Sequence, residues 1–207
     1  MPNTEIGGSV GLSYYLGDIN PRQQFYVPGI SFGLIGKHNF TQHHCLRVAA
    51  FYGQLAGDDL DFKNEFQQKR AHNFETELLD CSIGYEFNFM PYIINRRQVV
   101  HTTYLFGGMG YSLVLSSTTD MAENHFTVPF GAGYKYRFKN GITVGCEWSF
   151  RKTFVDTIDG LLNPGLEETL VLSHNNDWYS FACLYIAVRI YQKGNSCHGI
   201  YEPKVYK

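Results

Sequence analysis

The feature that most constrains this fold is a long alternation of apolar and polar side chains over residues 126–154. Apart from Asn140 and Lys152, even-numbered positions carry Phe, Val, Ala, Tyr, Ile, Cys and Trp, whereas odd-numbered positions are mostly Thr, Gly, Lys, Arg, Glu and Ser. A period of two residues sustained this long predicts two antiparallel strands. The alternation resumes in phase after Lys139-Asn140-Gly141. We therefore predict a hairpin with a three-residue loop in which Gly141 adopts the left-handed conformation.

The two faces of this hairpin differ in a way that indicates a membrane barrel. The polar face combines charged side chains with Gly131, Gly133 and Gly145, and glycine weakens a strand unless something crowds that surface. A continuous apolar face beside such a face is typical of a small barrel with lipid outside and ion pairs inside. Each strand has about 13 residues, longer than the ~5–6 usual in soluble sheets and enough for the ~9–11 that cross a bilayer at a tilt.

Seven loops or turns divide the chain into eight such segments. The predicted strands cover residues 5–16, 29–40, 44–56, 74–89, 99–115, 126–138, 142–154 and 178–190. In the first strand the lipid-facing set includes Leu12 and Tyr14, and in the fourth the phase switches so that odd-numbered residues face outward. Cys81 and Cys146 are then predicted to face lipid, and Cys183 the lumen.

Loop length alternates along the chain, which sets the orientation of the barrel. Connections 2–3, 4–5 and 6–7 are short or moderate, whereas the other four are long, as in outer-membrane barrels with periplasmic turns and external loops. We predict an all-β, eight-stranded, antiparallel, up-and-down transmembrane β-barrel over residues 1–191, with a periplasmic C-terminal tail over 192–207. A soluble lipocalin-like barrel is the alternative.

The location that follows is the outer membrane of a Gram-negative bacterium, with outer-membrane lipid around the barrel. Such a protein needs an export signal, and the chain passes from Met1 almost directly into a strand, so we expect the signal to have been cleaved or omitted. A net charge of -2 and the absence of a basic run argue against a nucleic-acid partner.

Charged side chains at inward positions predict an ion network in the lumen. Its members are Lys37, Arg47, Asp80, Glu86, Lys135, Arg137, Glu147, Arg151 and Arg189. They could line a channel, but an eight-stranded barrel has an interior just wide enough for side chains, so we favour a plug. Buried ions need partners. Lys135 is predicted to lie opposite Gly145, with Glu147 as its nearest acid on the same face.

The remaining reactive side chains suggest no catalytic or metal site. Ser173-His174 and several aspartates lie on predicted external loops, but a triad is recognised by geometry and no spacing specifies one. His43-His44-Cys45 cannot converge on one ion from a strand start, and five cysteines without a C-x-x-C pair indicate neither a disulfide framework nor a zinc site. We predict a non-enzymatic protein without cofactor, metal or small-molecule substrate.

Several segments resemble one family of barrels. They are YYLGDINP at 14–21, EFNFMPY at 86–92, YLFGGMG at 104–110, VPFGAGYKYR at 128–137, EWSFRKTF at 147–154 and NDWY at 176–179. In this order they resemble the small outer-membrane barrels typified by PorG, a component of the type IX secretion system. The resemblance spans nearly the whole chain, and its motifs are mostly barrel-forming ones.

This resemblance implies a role in protein secretion. It implies a non-enzymatic barrel that anchors a periplasmic ring, built from a PorK-like lipoprotein and a PorN-like protein, to the outer membrane. The candidate docking residues on the periplasmic face are Arg96, Arg97, Lys139, Lys193, Tyr201 and Tyr206. The alternative interpretation is that these residues belong to ordinary polar turns and a frayed terminus, which would have the same composition without any partner. The alternative function is an adhesin or surface-binding protein that acts through its long external loops.

Overall fold

The computed structural model shows a closed barrel of eight antiparallel strands in sequence order, which confirms the predicted architecture. It describes residues 4–17, 20, 23–61, 68, 73–92, 100–118, 123–154 and 178–190. The strands are β1 (Thr4–Leu16), β2 (Gly29–Asn39), β3 (His44–Asp58), β4 (Asn73–Asn88), β5 (Val100–Ser117), β6 (His125–Arg137), β7 (Ile142–Thr153) and β8 (Trp178–Ile190). Among the residues described, no helix is both long enough and apolar enough to span a membrane.

Strands β1 and β8 close the barrel by pairing from Thr4↔Ile190 to Leu16↔Trp178. The first strand begins and the last strand ends at the same rim, which we call the terminal end. The β2–β3, β4–β5 and β6–β7 connections also lie there. The opposite rim, which we call the loop end, carries the other four connections. A sheet closed in this way leaves no unpaired strand edge.

The β6–β7 hairpin has the predicted register and turn. Lys135 lies opposite Gly145, and Phe130 lies opposite Phe150. The Phe138 N–H donates to the Ile142 carbonyl over 2.8 Å, which closes a three-residue loop. Gly141 has a φ of 88°. This is the left-handed region, where glycine has no steric penalty.

The outer surface is apolar around the whole barrel. Every strand contributes exposed aliphatic or aromatic side chains, among them Val10, Leu34, Val48, Ile83, Met109, Phe130, Trp148 and Ile186. The inward positions alternate with them and are buried or half-buried. As predicted, Cys81 and Cys146 are exposed on the outside and Cys183 is buried.

The inward glycines are crowded, as the hairpin pattern suggested. A Cβ atom built on Gly145 would lie 2.5 Å from Cζ of Tyr185, and one on Gly133 would overlap the Tyr104 ring. Both tyrosines point into the lumen and are buried. The glycines therefore make room for large lumenal side chains, which a strand with a Cβ at these positions could not accommodate.

The prediction that Tyr14 faces lipid is wrong. Tyr14 has the outward phase but is completely buried, because the chain between β1 and β2 folds back over it. The Tyr14 hydroxyl donates to the Gln24 side chain over 2.7 Å and accepts from Trp148 Nε1 over 2.8 Å. The Phe25 ring lies 4.8 Å from that of Tyr14. Strand phase gives the direction of a side chain but not what a neighbouring loop covers.

Candidate functional site

The candidate site is the lumen, where the structure places the charged side chains of the predicted network. All of them lie inside the barrel, and all but the partly exposed Arg189 are buried: Lys37, Arg47, Asp80, Glu86, Lys135, Arg137, Glu147 and Arg151. Lumenal positions are odd-numbered in six strands and even-numbered in β4 and β5. This phase brings ions from different walls together, and seven of the nine form three clusters along the barrel axis.

The cluster nearest the terminal end has one carboxylate shared by two lysines. Lys135 Nζ donates to Glu86 Oε1 over 2.5 Å, and Lys37 Nζ lies 2.8 Å from Oε2 of the same group. Both ammonium groups also lie over aromatic rings. Lys37 Nζ is 4.3 Å from the centre of the Tyr104 ring, and Lys135 Nζ is 4.1 Å from that of the Tyr92 ring. Such contacts favour a cation that has left water.

The middle cluster is an ion pair across the barrel. Both terminal nitrogens of Arg47 donate to the two carboxylate oxygens of Glu147, each over 2.5 Å. The Tyr104 hydroxyl donates to Glu147 Oε2 over 2.9 Å, and the guanidinium lies 4.2 Å from the centre of the Phe106 ring. A two-point contact between planar groups fixes geometry as well as charge.

The cluster toward the loop end is centred on Asp80. Its carboxylate accepts from Arg151 Nε over 3.3 Å, from the Tyr179 hydroxyl over 2.9 Å and from Ser112 Oγ over 3.1 Å. The Arg151 guanidinium lies 4.7 Å from the centre of the Phe181 ring. Several donors on one buried carboxylate offset the loss of its water shell.

The expectation that Lys135 has Glu147 as its acid is wrong. Glu147 forms an ion pair with Arg47, and Lys135 instead forms one with Glu86. Glu147 is the diagonal neighbour of Lys135 on the adjacent strand, whereas Glu86 lies on β4, beyond β5. In a narrow lumen side chains reach past the neighbouring strand, so cross-strand distance alone does not select the partner.

Two of the lumenal contacts span the barrel between opposite walls. In a closed order of eight strands, β3 lies opposite β7 and β4 lies opposite β8. The Arg47–Glu147 pair joins the first two, and the Tyr179–Asp80 hydrogen bond joins the second two. Side chains therefore cross the diameter of the lumen at two heights, as expected for a filled barrel of this size.

The sequence analysis did not predict that aromatic side chains fill part of the lumen, nor that Glu5 takes part in its hydrogen bonds. Glu5 is buried and accepts from Tyr92 and Thr143, over 2.9 Å and 2.8 Å. Strand phase could have placed Tyr104, Tyr179 and Tyr185 in the lumen, because they occupy inward positions of β5 and β8. No sequence signal places Tyr92, which lies on a turn.

Among the candidate docking residues, Lys139 is exposed on the β6–β7 turn at the terminal end. Arg96, Arg97, Lys193, Tyr201 and Tyr206, together with the tail 192–207, lie outside the described residues. Cys45, Cys81, Cys146 and Cys183 are free thiols. Across the described part of the chain, no group of three or more His, Cys, Asp or Glu has an arrangement that could hold a metal ion.

The loop end carries an open cavity of about 470 Å³. Its lining includes Asp58, Asp61 and Glu75 beside Val27 and Phe74. The neighbouring Tyr26 hydroxyl donates to Asp61 Oδ2 over 2.7 Å and accepts from the Asp58 N–H over 3.2 Å. Burial and the hydrogen bond to Asp61 raise the pKa of Tyr26 to about 12.

Comparison with known proteins identifies both a family and a fold. A family model described as "Domain of unknown function (DUF6089)" matches residues 3–199. No curated protein matches the chain in sequence.

Solved structures share the barrel architecture at low sequence identity. Neisserial surface protein A (NspA) superposes with a TM-score of 0.55 at 8% identity, over 90% of this chain and 97% of that one. The N-terminal β-barrel domain of Pseudomonas aeruginosa OprF gives a TM-score of 0.48 at 12% identity, over 92% and 100%. Ail of Yersinia pestis, in complex with the heparin analogue sucrose octasulfate, gives 0.45 at 11% identity, over 91% and 99%. The likeness to NspA shows that the chain has the fold of small outer-membrane barrels.

Proposed function

The chain belongs to the DUF6089 family, and we propose that this member is a closed, non-enzymatic barrel in the outer membrane of a Gram-negative bacterium. Its role is to anchor the periplasmic ring of a type IX protein secretion system. In this orientation the terminal end faces the periplasm, the loop end faces the cell exterior, and the apolar outer surface contacts membrane lipid.

The observation that carries the anchoring role is the filled lumen. The Arg47–Glu147 pair and the Tyr179–Asp80 contact cross the barrel between opposite walls. A lumen occupied by ion pairs leaves no continuous path for a solute. This favours a barrel that acts through its surfaces and its place in the membrane rather than through transport.

Resemblance supplies the proposed partners. The PorG-like segments imply contact with a PorK-like lipoprotein and a PorN-like protein, and the terminal end is where a periplasmic ring would meet this barrel. Lys139 is exposed at that end, and the segments that follow β4 and β8 in the sequence carry Arg96, Arg97 and Lys193. A partner of opposite charge would be steered toward this face.

The experiment is deletion of the gene in the native bacterium, followed by quantification of secreted cargo proteins in the medium. Under the anchoring role secretion collapses, and a plasmid copy of the wild-type gene restores it. A matched deletion of another small outer-membrane barrel controls for a general membrane defect. Secretion at the wild-type level after deletion would refute the proposal.

The second candidate function is binding of an external partner through the loop end. It is favoured by the extension of β3 to Asp58 and by the start of β4 at Asn73. Asp58 and Asn73 lie opposite one another in the register and help to line the 470 Å³ cavity. A barrel serving this function would leave secretion intact when deleted but would alter adhesion of the cells to surfaces or host material.

A further inference from the structure

Tyr92 lies in the β4–β5 connection, and its side chain enters the barrel from the terminal end. It follows β4, and only 2% of its surface is exposed. Its hydroxyl donates to Glu5 Oε1 over 2.9 Å and lies 2.8 Å from Thr143 Oγ1. Glu5 belongs to β1 and Thr143 to β7. The side chain therefore reaches from the β4–β5 connection to the opposite wall of the barrel.

The backbone around Tyr92 is held to the neighbouring turn. Its N–H donates to the Gln42 carbonyl over 2.9 Å, and the Asn88 N–H donates to the His43 carbonyl over 2.8 Å. The second bond continues the β3–β4 ladder, and the first joins the β4–β5 connection to the adjacent β2–β3 turn. Tyr92 is thus fixed at its backbone on one side and at its hydroxyl on the other.

A charged region of the lumen lies directly behind Tyr92. Lys135 Nζ lies 4.1 Å from the centre of the Tyr92 ring and binds Glu86, which also binds Lys37. Cys45, in register with Glu86 and Asn39, is completely buried in the same region. Farther in, the Arg47–Glu147 pair crosses the lumen. The polar groups around Glu86 are therefore enclosed between two barriers, Tyr92 and that ion pair.

We propose that Tyr92 is a bolt that closes the terminal end of the lumen over a hydrophilic chamber centred on Glu86. Because Tyr92 lies outside the strands, its side chain can leave the lumen without breaking any pairing between strands. Its withdrawal would admit water and small ions to the chamber. The Arg47–Glu147 pair and the Asp80 cluster would still close the rest of the lumen, so the result is a blind vestibule rather than a channel.

Two native cysteines at different depths provide the test. Cys45 lies in the proposed chamber, whereas Cys183 is in register with Glu147 and lies 3.5 Å from Ser31 Oγ on β2. Two full-length variants would each retain one lumenal cysteine, with the other four changed to Ala. Each would be combined with native Tyr92, Tyr92→Phe or Tyr92→Ala, folded into phospholipid nanodiscs and exposed to sulfonatoethyl methanethiosulfonate. Mass spectrometry would give the rate of modification.

Loss of the bolt should expose Cys45 alone. We expect Tyr92→Ala to accelerate modification of Cys45 by roughly 100-fold or more, because the rate of a protected group reports local opening. Tyr92→Phe, which keeps the ring but loses the bond to Glu5, should give an intermediate rate. Cys183 should stay unreactive in every variant.

A control on the same turn separates the bolt from general loosening. Phe89 is 53% exposed and points outward, so Phe89→Ala should leave Cys45 protected. Three results would overturn the proposal: Cys45 reacting as fast with native Tyr92 as with Tyr92→Ala, Cys45 staying protected in Tyr92→Ala, or Cys183 becoming reactive together with Cys45. The last would mean that the substitution loosens the whole barrel.

Discussion

Arg47 on β3 and Glu147 on β7 form a two-point ion pair across the diameter of the barrel, with both N–O distances at 2.5 Å. Both side chains are almost fully buried. A pair of this kind contributes little more to stability than a well-packed apolar pair would. When one member is removed, however, the other is left as an uncompensated buried charge. Its single and double variants should therefore behave very differently.

We expect Glu147→Leu and Arg47→Met each to destabilise the barrel by about 3–5 kcal/mol, because each leaves a buried charge without its partner. The double variant should be destabilised by far less than the sum of the two. Urea unfolding in lipid vesicles, followed by electrophoretic mobility, measures the three free energies. Lys139→Met, on the exposed β6–β7 turn, is the matched control. Additive costs would mean that the pair is not coupled in the folded barrel.

Phe130 tests which surface of the barrel faces lipid. It is 40% exposed on the outside of β6 and packs against Phe150 and Trp178. Phe130→Arg should destabilise insertion by about 2–4 kcal/mol, whereas Phe138→Arg, next to the turn, should cost about 0–1 kcal/mol. Gly131→Arg, with an inward Cβ 2.7 Å from Ser149 Cα, should fail by overpacking. Unfolding free energies in vesicles check this ranking. Equal stability of Phe130→Arg and the wild type would contradict the assigned facing.

The filled lumen should make the barrel electrically silent. Planar-bilayer recordings of the purified protein should show no steady open state, because side chains cross the lumen at two heights. The Tyr92→Ala variant should also be silent, since the Arg47–Glu147 pair remains in place. A large, stable conductance of the wild-type protein would contradict the plug.

The proposed docking face is tested by removing its charge and its tail. Truncation after Tyr191 combined with Arg96→Glu and Arg97→Glu should leave the barrel inserted but abolish co-purification of the periplasmic ring proteins. Charge reversal on the partner-facing side removes the electrostatic steering that we propose. Glu75→Lys, at the exposed loop end, is the control and should retain the ring. Co-purification at the wild-type level from the triple variant would place the contact elsewhere.

Much of the fold could be predicted because alternation records the face of each residue directly. The odd phase of β6 and β7 is enough to predict that Lys135, Glu147 and Arg151 point inward. What alternation cannot give is which inward residues meet, because that depends on strand tilt, side-chain length and reach across the lumen. The Lys135–Glu86 pair is such a case.

Two other features could not be predicted from the sequence because they depend on contacts made by connections between strands. Tyr14 has the phase of a lipid-facing residue, but the chain around Gln24 and Phe25 covers it. Tyr92 has no strand phase at all, and its burial depends on bonds to Glu5 and to Gln42. Long-range contacts of turns have no periodic signature.

The cross-lumen contacts have a mechanical consequence. A hollow cylinder under a sideways load flattens into an ellipse, and its wall then bends between strands. Contacts from β3 to β7 and from β4 to β8 act as struts along two different diameters. Flattening along either one would have to stretch or compress a buried polar contact within a close-packed interior of low compressibility. A load on one of these walls is thereby passed directly to the opposite wall.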